Sequence, residues 1–183
     1  MTAQTQRFVR ALWNLDRDLA YARHYPAVGW AGSFSRDVDE LGAWYASNGD
    51  PDWAQRRARV TSLLAEADRL GELAELVGSS SLPGHERVVL LAGRLLREGV
   101  LQQNALSVND ARCGIAKTAA LIDAVLGLVQ ECDAVVDRSV TAAEIEELDF
   151  SPLLRAGEET PPDDVDEIVA RRDQMLGRLA ALL

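Results

Sequence analysis

The chain has 183 residues, of which 48% are hydrophobic and 26% are charged, and its formal net charge is -10. That length fits one domain, or one domain with a short appendage, and the composition suits a globular protein with a sizeable core. The acidic balance argues against binding of nucleic acid or of an acidic membrane surface, because both need a clustered basic face. The sequence also lacks the roughly 20-residue apolar run of a membrane-spanning helix and the apolar stretch of a signal peptide, so we expect a cytoplasmic protein.

The first thirty residues carry weak signals for β-structure. Residues 7–13 alternate between apolar and polar side chains, which favours a strand. Because a single strand is unstable without a partner, we expect residues 1–13 to be detached, disordered or paired with a neighbouring molecule. Residues 23–32 are rich in glycine and aromatic side chains and predict an ordered, irregular loop.

Apolar residues recur at helical spacing from residue 50 onward, and the pattern predicts an all-α helical bundle from about residue 35. The predicted helices run, in chain order, from 50 to 78, from 84 to about 98, from 114 to about 137, briefly from 141, and from 161 to the end. Asp50 is the predicted N-cap of the first helix, with Pro51 in its first turn and Gly78 as its stop. The spacing of Thr141 and Glu144 predicts a capping box, and residues 151–160 are predicted to be a loop or short helical turn.

The inward faces of these helices follow from the same spacing. The predicted core residues are Val60, Leu63, Leu64, Ala67, Leu70, Ala74 and Val77 in the first helix, Val88, Leu91, Leu95 and Leu96 in the second, Ile115, Ala119, Ile122, Leu126, Val129, Cys132 and Val136 in the third, and Val165, Ile168, Val169, Met175, Leu176 and Leu179 in the last.

No motif in the sequence predicts phosphate binding or catalysis by this chain. Residues 114–118 imitate the end of a phosphate-binding loop but lack its first glycine, so Lys117, the only lysine, is predicted to be solvated on a helix. His24 and His85 are far apart, and neither has a cysteine or second histidine at metal-ligand spacing. We expect His24 to pack within a loop and His85 to be exposed in a first helical turn. Cys113 and Cys132 are predicted to be small buried side chains.

The polar segment Gln102-Gln103-Asn104 stands out because it directly follows an apolar helix. Three amide side chains are costly to bury without hydrogen-bond partners. Composition alone favours a polar helix end that faces water.

Several short motifs follow one another along the chain: Trp13-Asn14-Leu15-Asp16; Arg23-His24-Tyr25-Pro26-Ala27 with Trp30 and Ser33-Phe34-Ser35; Asp50-Pro51-Asp52-Trp53; Leu76-Val77-Gly78 with Leu82-Pro83; Arg94-Leu95-Leu96-Arg97-Glu98 followed by Leu101-Gln102-Gln103-Asn104-Ala105; and Asp110, Cys113 and Lys117. In order and in spacing, these motifs resemble those of the catalytic A subunits of V/A-type rotary ATPases. The motifs cover residues 2–118, and Met1 stands where the family has valine, which suggests a start inside a longer protein.

The resemblance implies the C-terminal helical domain of such a subunit. Residues 1–34 would be a remnant of the nucleotide-binding domain with a connecting loop, and residues 35–183 the helical bundle. The expected partners are the subunit's own nucleotide-binding domain, neighbouring B subunits and the central-stalk rotor, with neither nucleic acid nor direct membrane insertion. The parent subunit would bind ATP or ADP and magnesium at the periphery of a membrane, coupling ATP hydrolysis or synthesis to proton or sodium transport. This chain would hold no cofactor or metal and would not be an enzyme alone.

The resemblance also implies two sets of site residues. The adenine-side candidates are Gln102, Gln103, Asn104, Ala105 and Leu106, where Leu106 replaces the family's phenylalanine. The rotor-contact candidates in the turn 79–87 are Leu82, Pro83 and His85. Leu82 is either packed under its own helix or exposed towards the rotor. The alternative function is a free-standing helical adaptor derived from this domain, which the sequence encoded upstream would distinguish.

Overall fold

The computed structural model describes residues 8–183 and is 64% helical. Its elements, in chain order, are β1 (Ala11–Leu15), α1 (Arg17–Tyr21), β2 (Val28–Ser35), α2 (Val38–Ser47), α3 (Trp53–Val77), α4 (Gly84–Leu96), α5 (Ile115–Asp137), α6 (Ala142–Glu146), α7 (Ser151–Leu154), α8 (Ala156–Glu159) and α9 (Val165–Ala180). A 3-10 turn at Ser79–Ser81 precedes α4, and a π-helical turn at Arg97–Leu101 extends it. The predicted helical class is therefore confirmed.

The predicted N-terminal strand has a partner, contrary to the expectation that it would be alone. β1 pairs antiparallel with β2, from Ala11 opposite Ser35 to Leu15 opposite Val28. The register is irregular in the middle, where the Ser33 hydroxyl accepts the Asn14 backbone N–H and donates to a carbonyl on its own strand. The prediction of an irregular loop at 23–32 was wrong for its second half, because this bulge disrupts the alternation that identifies a strand. Residues 1–7 of the predicted detached segment lie outside the described residues.

The core lies between the long helices α3, α4, α5 and α9, with the short helices α6 to α8 closing one side. Its buried members include Leu64 and Leu70 from α3, Val88, Leu91, Leu95 and Leu96 from α4, Leu121, Val125, Leu128, Cys132 and Val135 from α5, and Ile168, Met175 and Leu179 from α9. All four predicted core residues of α4 are buried, but Val77 and Val169 are exposed. Both lie on the margin of their helical stripe, where neighbouring helices do not cover them.

Helix ends were predicted with mixed success. Thr141 and Glu144 form the expected capping box, and Asp164 caps α9 through the Glu167 N–H. Asp50 was wrongly predicted to cap α3, which begins three residues later at Trp53. Its carboxylate is instead paired with Arg56 at 2.7 Å. Within residues 8–183, no helix is long and apolar enough to cross a membrane.

Candidate functional site

The polar segment at the end of α4 begins where that helix widens into a π-turn. The Gln102 N–H donates to the Arg97 carbonyl at 2.8 Å, a bond that spans five residues. Gly99 lies inside this turn, and a Cβ there would come within 3.3 Å of the Leu153 carbonyl of α7. The absence of a side chain thus lets the turn pack against α7. Such π-turns frequently occur at functional sites.

Residues 102–110 form a loop whose shape is set by hydrogen bonds. The Gln103 N–H donates to the Tyr25 carbonyl at 2.7 Å, which joins the loop to the segment before β2. The Asn104 N–H donates to the Asp110 carboxylate, and the Asn104 side chain accepts the Leu106 N–H at 3.0 Å. Asp110 is buried, so this contact closes the loop from the inside.

The five predicted adenine-side residues all line one cavity of about 580 Å³. The other lining residues are Arg23, Tyr25, Glu98, Gly99, Asp110, Leu154, Gly157 and Glu158. Leu106 is 96% exposed and Tyr25 is 55% exposed, which leaves apolar and aromatic surface uncovered at this end of the bundle. Three carboxylates and one guanidinium line the cavity, so the net charge of its lining is negative.

A cluster around Trp30 holds the Tyr25 segment against the bundle. The Trp30 indole N–H donates to Asp68 of α3 at 2.9 Å, and Arg97 also donates to that carboxylate. The Arg97 guanidinium lies 5.0 Å from the centre of the Trp30 ring, and His24 meets the ring edge-on at 6.3 Å. Burial, followed by the charge of Arg97, lowers the pKa of His24.

His24 is buried in a loop, as predicted. Sequence analysis did not predict that Asp68 and Arg97 contact Trp30. The available signal was that Asp68 directly follows Ala67, a predicted core residue of α3.

Lys117 was wrongly predicted to be solvated: it is fully buried. Its Nζ lies 2.8 Å from each of three backbone carbonyl oxygens, those of Asn109, Gly157 and Thr160. The predicted apolar face of α5, through Ile115, Ala119 and Ile122, was on the wrong side, since these residues are only half-buried. The buried face runs through Lys117, Leu121 and Leu128 at helical spacing, and residues 157–160 cover its Lys117 end. Apolar residues recur on both sides of α5, so the packing of the neighbouring segments decides which side is buried.

The turn before α4 differs in part from the prediction. Leu82 is 8% exposed, so it is packed and not available at the surface, while Pro83 and His85 are exposed. The His85 ring lies 3.0 Å from Asp133 and 3.2 Å from Asp137, both on α5. The hydrogen bond to Asp133, followed by the charges of both aspartates, raises the pKa of His85. Whether this turn contacts a rotor stays a prediction.

A second cavity, of about 220 Å³, lies between α3 and α5 and was not predicted. Arg56 lines it and bridges Asp50 and Asp123, with its Nε 2.7 Å from Asp123. Cys113 in its wall is only half-buried, whereas Cys132 is fully buried and burial raises its pKa to about 12. In residues 8–183 no cluster of three His, Cys, Asp or Glu side chains could hold a metal ion.

The fold and cavity define a helical domain that presents a polar loop at one end of a bundle. The sequence profile described as the C-terminal domain of V and A type ATP synthase matches residues 42–144. The chain belongs to this family.

Similar proteins include the A subunit of the A-type ATP synthase of Halobacterium salinarum, which is 36% identical over 96% of this chain and 30% of the relative. The V-type ATP synthase alpha chain of Halothermothrix orenii is 33% identical over 98% of this chain and 31% of the relative. The corresponding A-type protein of Thermococcus onnurineus is 38% identical over 79% of this chain and 25% of the relative. The chain thus spans about 30% of the length of the first two relatives.

Proposed function

We propose that this chain acts as the C-terminal helical domain of the catalytic A subunit of a V/A-type ion-translocating rotary ATPase, where its loop 102–106 forms the adenine side of the nucleotide site. The observation that carries the proposal is the gathering of all five loop residues in one cavity beside Tyr25. Membership of the family supports the assignment to this machine.

The charges in the cavity favour the base over the phosphates of a nucleotide. Glu98, Asp110 and Glu158 outnumber Arg23, so a triphosphate would be repelled here. A neutral adenine suits the same surface, because Leu106 and Tyr25 offer apolar and aromatic faces to stack against. The Gln102 and Gln103 amides can each donate and accept, which matches the mixed edge of the base. The phosphates and magnesium would therefore bind to the nucleotide-binding domain of the parent subunit.

The family to which the chain belongs supports the proposed partners. Residues 1–34 would complete the subunit's own nucleotide-binding domain, and residues 35–183 would form the separate helical domain. Neighbouring B subunits and the central-stalk rotor would surround it in a cytoplasmic complex at the membrane periphery. The exposed turn with Pro83 and His85 is the proposed rotor contact. Hydrolysis or synthesis of ATP would be coupled to ion transport by the assembly, not by this chain.

Nucleotide binding by the 183-residue chain tests the adenine assignment. We expect no ATPase activity with magnesium and a dissociation constant of about 1 mM or weaker for adenosine, which corresponds to about 4 kcal/mol or less. Amide chemical shifts of residues 102–106 should move on titration, and ATP should bind no more tightly than adenosine. Micromolar ATP binding, or shifts confined to other residues, would refute the proposal.

A pair of variants localises the binding. Leu106→Asp removes the apolar side chain proposed to stack against the base and should abolish the adenosine-induced shifts. Val108→Asp is the matched control, because Val108 is 89% exposed but does not line the cavity. Equal effects of the two variants would count against the cavity as the binding site.

The rotor contact needs the assembled complex. Ser80→Arg enlarges an exposed residue of the turn and should lower coupling between ATP hydrolysis and ion transport, while leaving the melting temperature of the isolated chain unchanged. Ser62→Arg, on an exposed position of α3, is the control. Unchanged coupling in the Ser80 variant would remove the rotor assignment.

A further inference from the structure

Lys117 is a buried cation held by backbone oxygens. Its three acceptors, the carbonyls of Asn109, Gly157 and Thr160, match the three N–H donors of an ammonium group. Within residues 8–183, no carboxylate forms a salt bridge with it. A fully buried charge bound only to main-chain dipoles is costly unless every donor is satisfied, and here all of them are.

The three carbonyls belong to two separate segments of the chain. Asn109 lies in the loop that carries the adenine-side residues, whereas Gly157 and Thr160 belong to α8 and the residue after it. Lys117 reaches both from the first turn of α5, so it ties the loop to the α8 segment without belonging to either. The loop cannot move away from α8 unless these bonds break.

Further hydrogen bonds join the same two segments. The Asn104 side-chain amide donates to the Glu158 carboxylate at 2.9 Å, and the Asn109 amide donates to the Glu158 carbonyl at 3.0 Å. A Cβ on Gly157 would lie 3.3 Å from the Asp110 carboxylate, so the absence of a side chain there allows Asp110 to approach. Asp110 in turn accepts the Asn104 N–H. The loop is thus fixed at its beginning and at its end.

We propose that Lys117 is a positioning residue for the base-binding loop: its ammonium group locks residues 102–110 against residues 157–160, so that the loop has its binding shape before a nucleotide arrives. The inference rests on the proposed function, because it concerns the same cavity. Ordering a loop during binding lowers affinity, and a loop ordered in advance avoids that cost. An apolar side chain at position 117 would leave three buried carbonyls without a donor.

Amide hydrogen exchange of the 183-residue chain tests the lock without any ligand. Lys117→Met keeps the length of the side chain but removes its donors. We expect the amides of Asn104 and Leu106 to exchange at least tenfold faster than in the wild type, and by a larger factor than the α4 amides of Leu95 and Leu96.

The control for that experiment is a variant that destabilises the whole domain. Leu128→Ala removes a fully buried side chain of α5 that forms none of the bonds to the loop. It should accelerate core and loop exchange only through global unfolding. If Lys117→Met and Leu128→Ala give the same ratio of loop to core exchange, Lys117 is an ordinary core residue and the proposal is wrong.

A milder variant keeps the test decisive if Lys117→Met does not fold. Glu158→Ala removes the carboxylate that binds the Asn104 side chain, and it should also accelerate exchange at Asn104 and Leu106. Glu159→Ala is its matched control, since Glu159 pairs with Arg171 of α9 and not with the loop. No difference between the two glutamate variants would overturn the coupling of the loop to α8.

Adenosine titration then separates the two proposals. In Lys117→Met, whose altered side chain does not line the cavity, the dissociation constant for adenosine should rise at least fivefold, while Glu159→Ala should bind like the wild type. If the loop amides exchange faster in Lys117→Met but the wild type does not bind adenosine, the proposed function is refuted and the positioning role of Lys117 is still supported. Unchanged exchange of the loop amides in Lys117→Met would refute the positioning role of Lys117 even if adenosine binds.

Discussion

The ion pair between Asp50 and Arg56 gives a prediction that separates two roles for Asp50. As an N-cap, Asp50 could be replaced by asparagine with almost no loss, because the two residues cap helices equally well. The structure instead pairs the carboxylate of Asp50, a residue that is only 5% exposed, with the Arg56 guanidinium at 2.7 Å. Asp50→Asn converts a bond between two charges into one with a neutral acceptor. We therefore expect it to lower the free energy of unfolding by about 1 kcal/mol.

Replacement of Arg56 should lower the free energy of unfolding more than neutralisation of Asp50 does. Arg56→Met leaves Asp50 buried without a counter-ion, which typically costs about 3–5 kcal/mol. The lower end, about 3 kcal/mol, is expected here, because Asp123 at the other end of the network is 52% exposed and can be hydrated. In a domain of this size, that loss corresponds to a decrease of roughly 6–12 °C in Tm.

Urea denaturation of the wild type, both single variants and the double variant provides the measurement. In Asp50→Asn/Arg56→Met neither member of the pair is charged, so part of the loss should be recovered, with a coupling energy of about 2 kcal/mol. The m-value should stay constant across the four proteins. Additive effects, or a loss below about 1 kcal/mol in Arg56→Met, would refute the assignment of this pair to the stability of the bundle.

Three further predictions concern the turn before α4 and the base-binding loop. Because the pKa of His85 is raised in the folded chain, its stabilising contribution should be complete below the unfolded value of about 6.5 and should disappear as the pH rises through the folded pKa. Thermal melts from about pH 5 to 9 should show this dependence, and His85→Gln should remove it. Leu82→Asp should lower the free energy of unfolding by more than about 1 kcal/mol, a typical core-mutation cost, and a normal melt would mean that Leu82 is not packed. Leu106→Phe should leave stability within about 0.5 kcal/mol, because the position is exposed, and should tighten adenosine binding about two- to tenfold by titration.

Some local elements of this protein could be predicted from its sequence alone. Helical periodicity predicted α4 and α5 nearly to the residue, and the spacing of Thr141 and Glu144 predicted the capping box, because both depend on interactions within one or two turns of chain. The order of short motifs also identified the family and selected residues 102–106, which the fold brings into one cavity.

Only the tertiary structure shows which polar side chains are buried and which groups they bind. Lys117 looked solvated on its own helix, Asp50 looked like an N-cap, and Leu82 had two open alternatives. Two of the three carbonyls that bind Lys117 belong to residues 40 and 43 positions further along the chain. Asp50 is paired with Arg56, a residue inside the following helix. The partner of β1 was hidden for a related reason, since a bulge between the strands interrupts the alternation that marks a strand. Burial depends on contacts between distant segments, so a pattern within one segment cannot specify it.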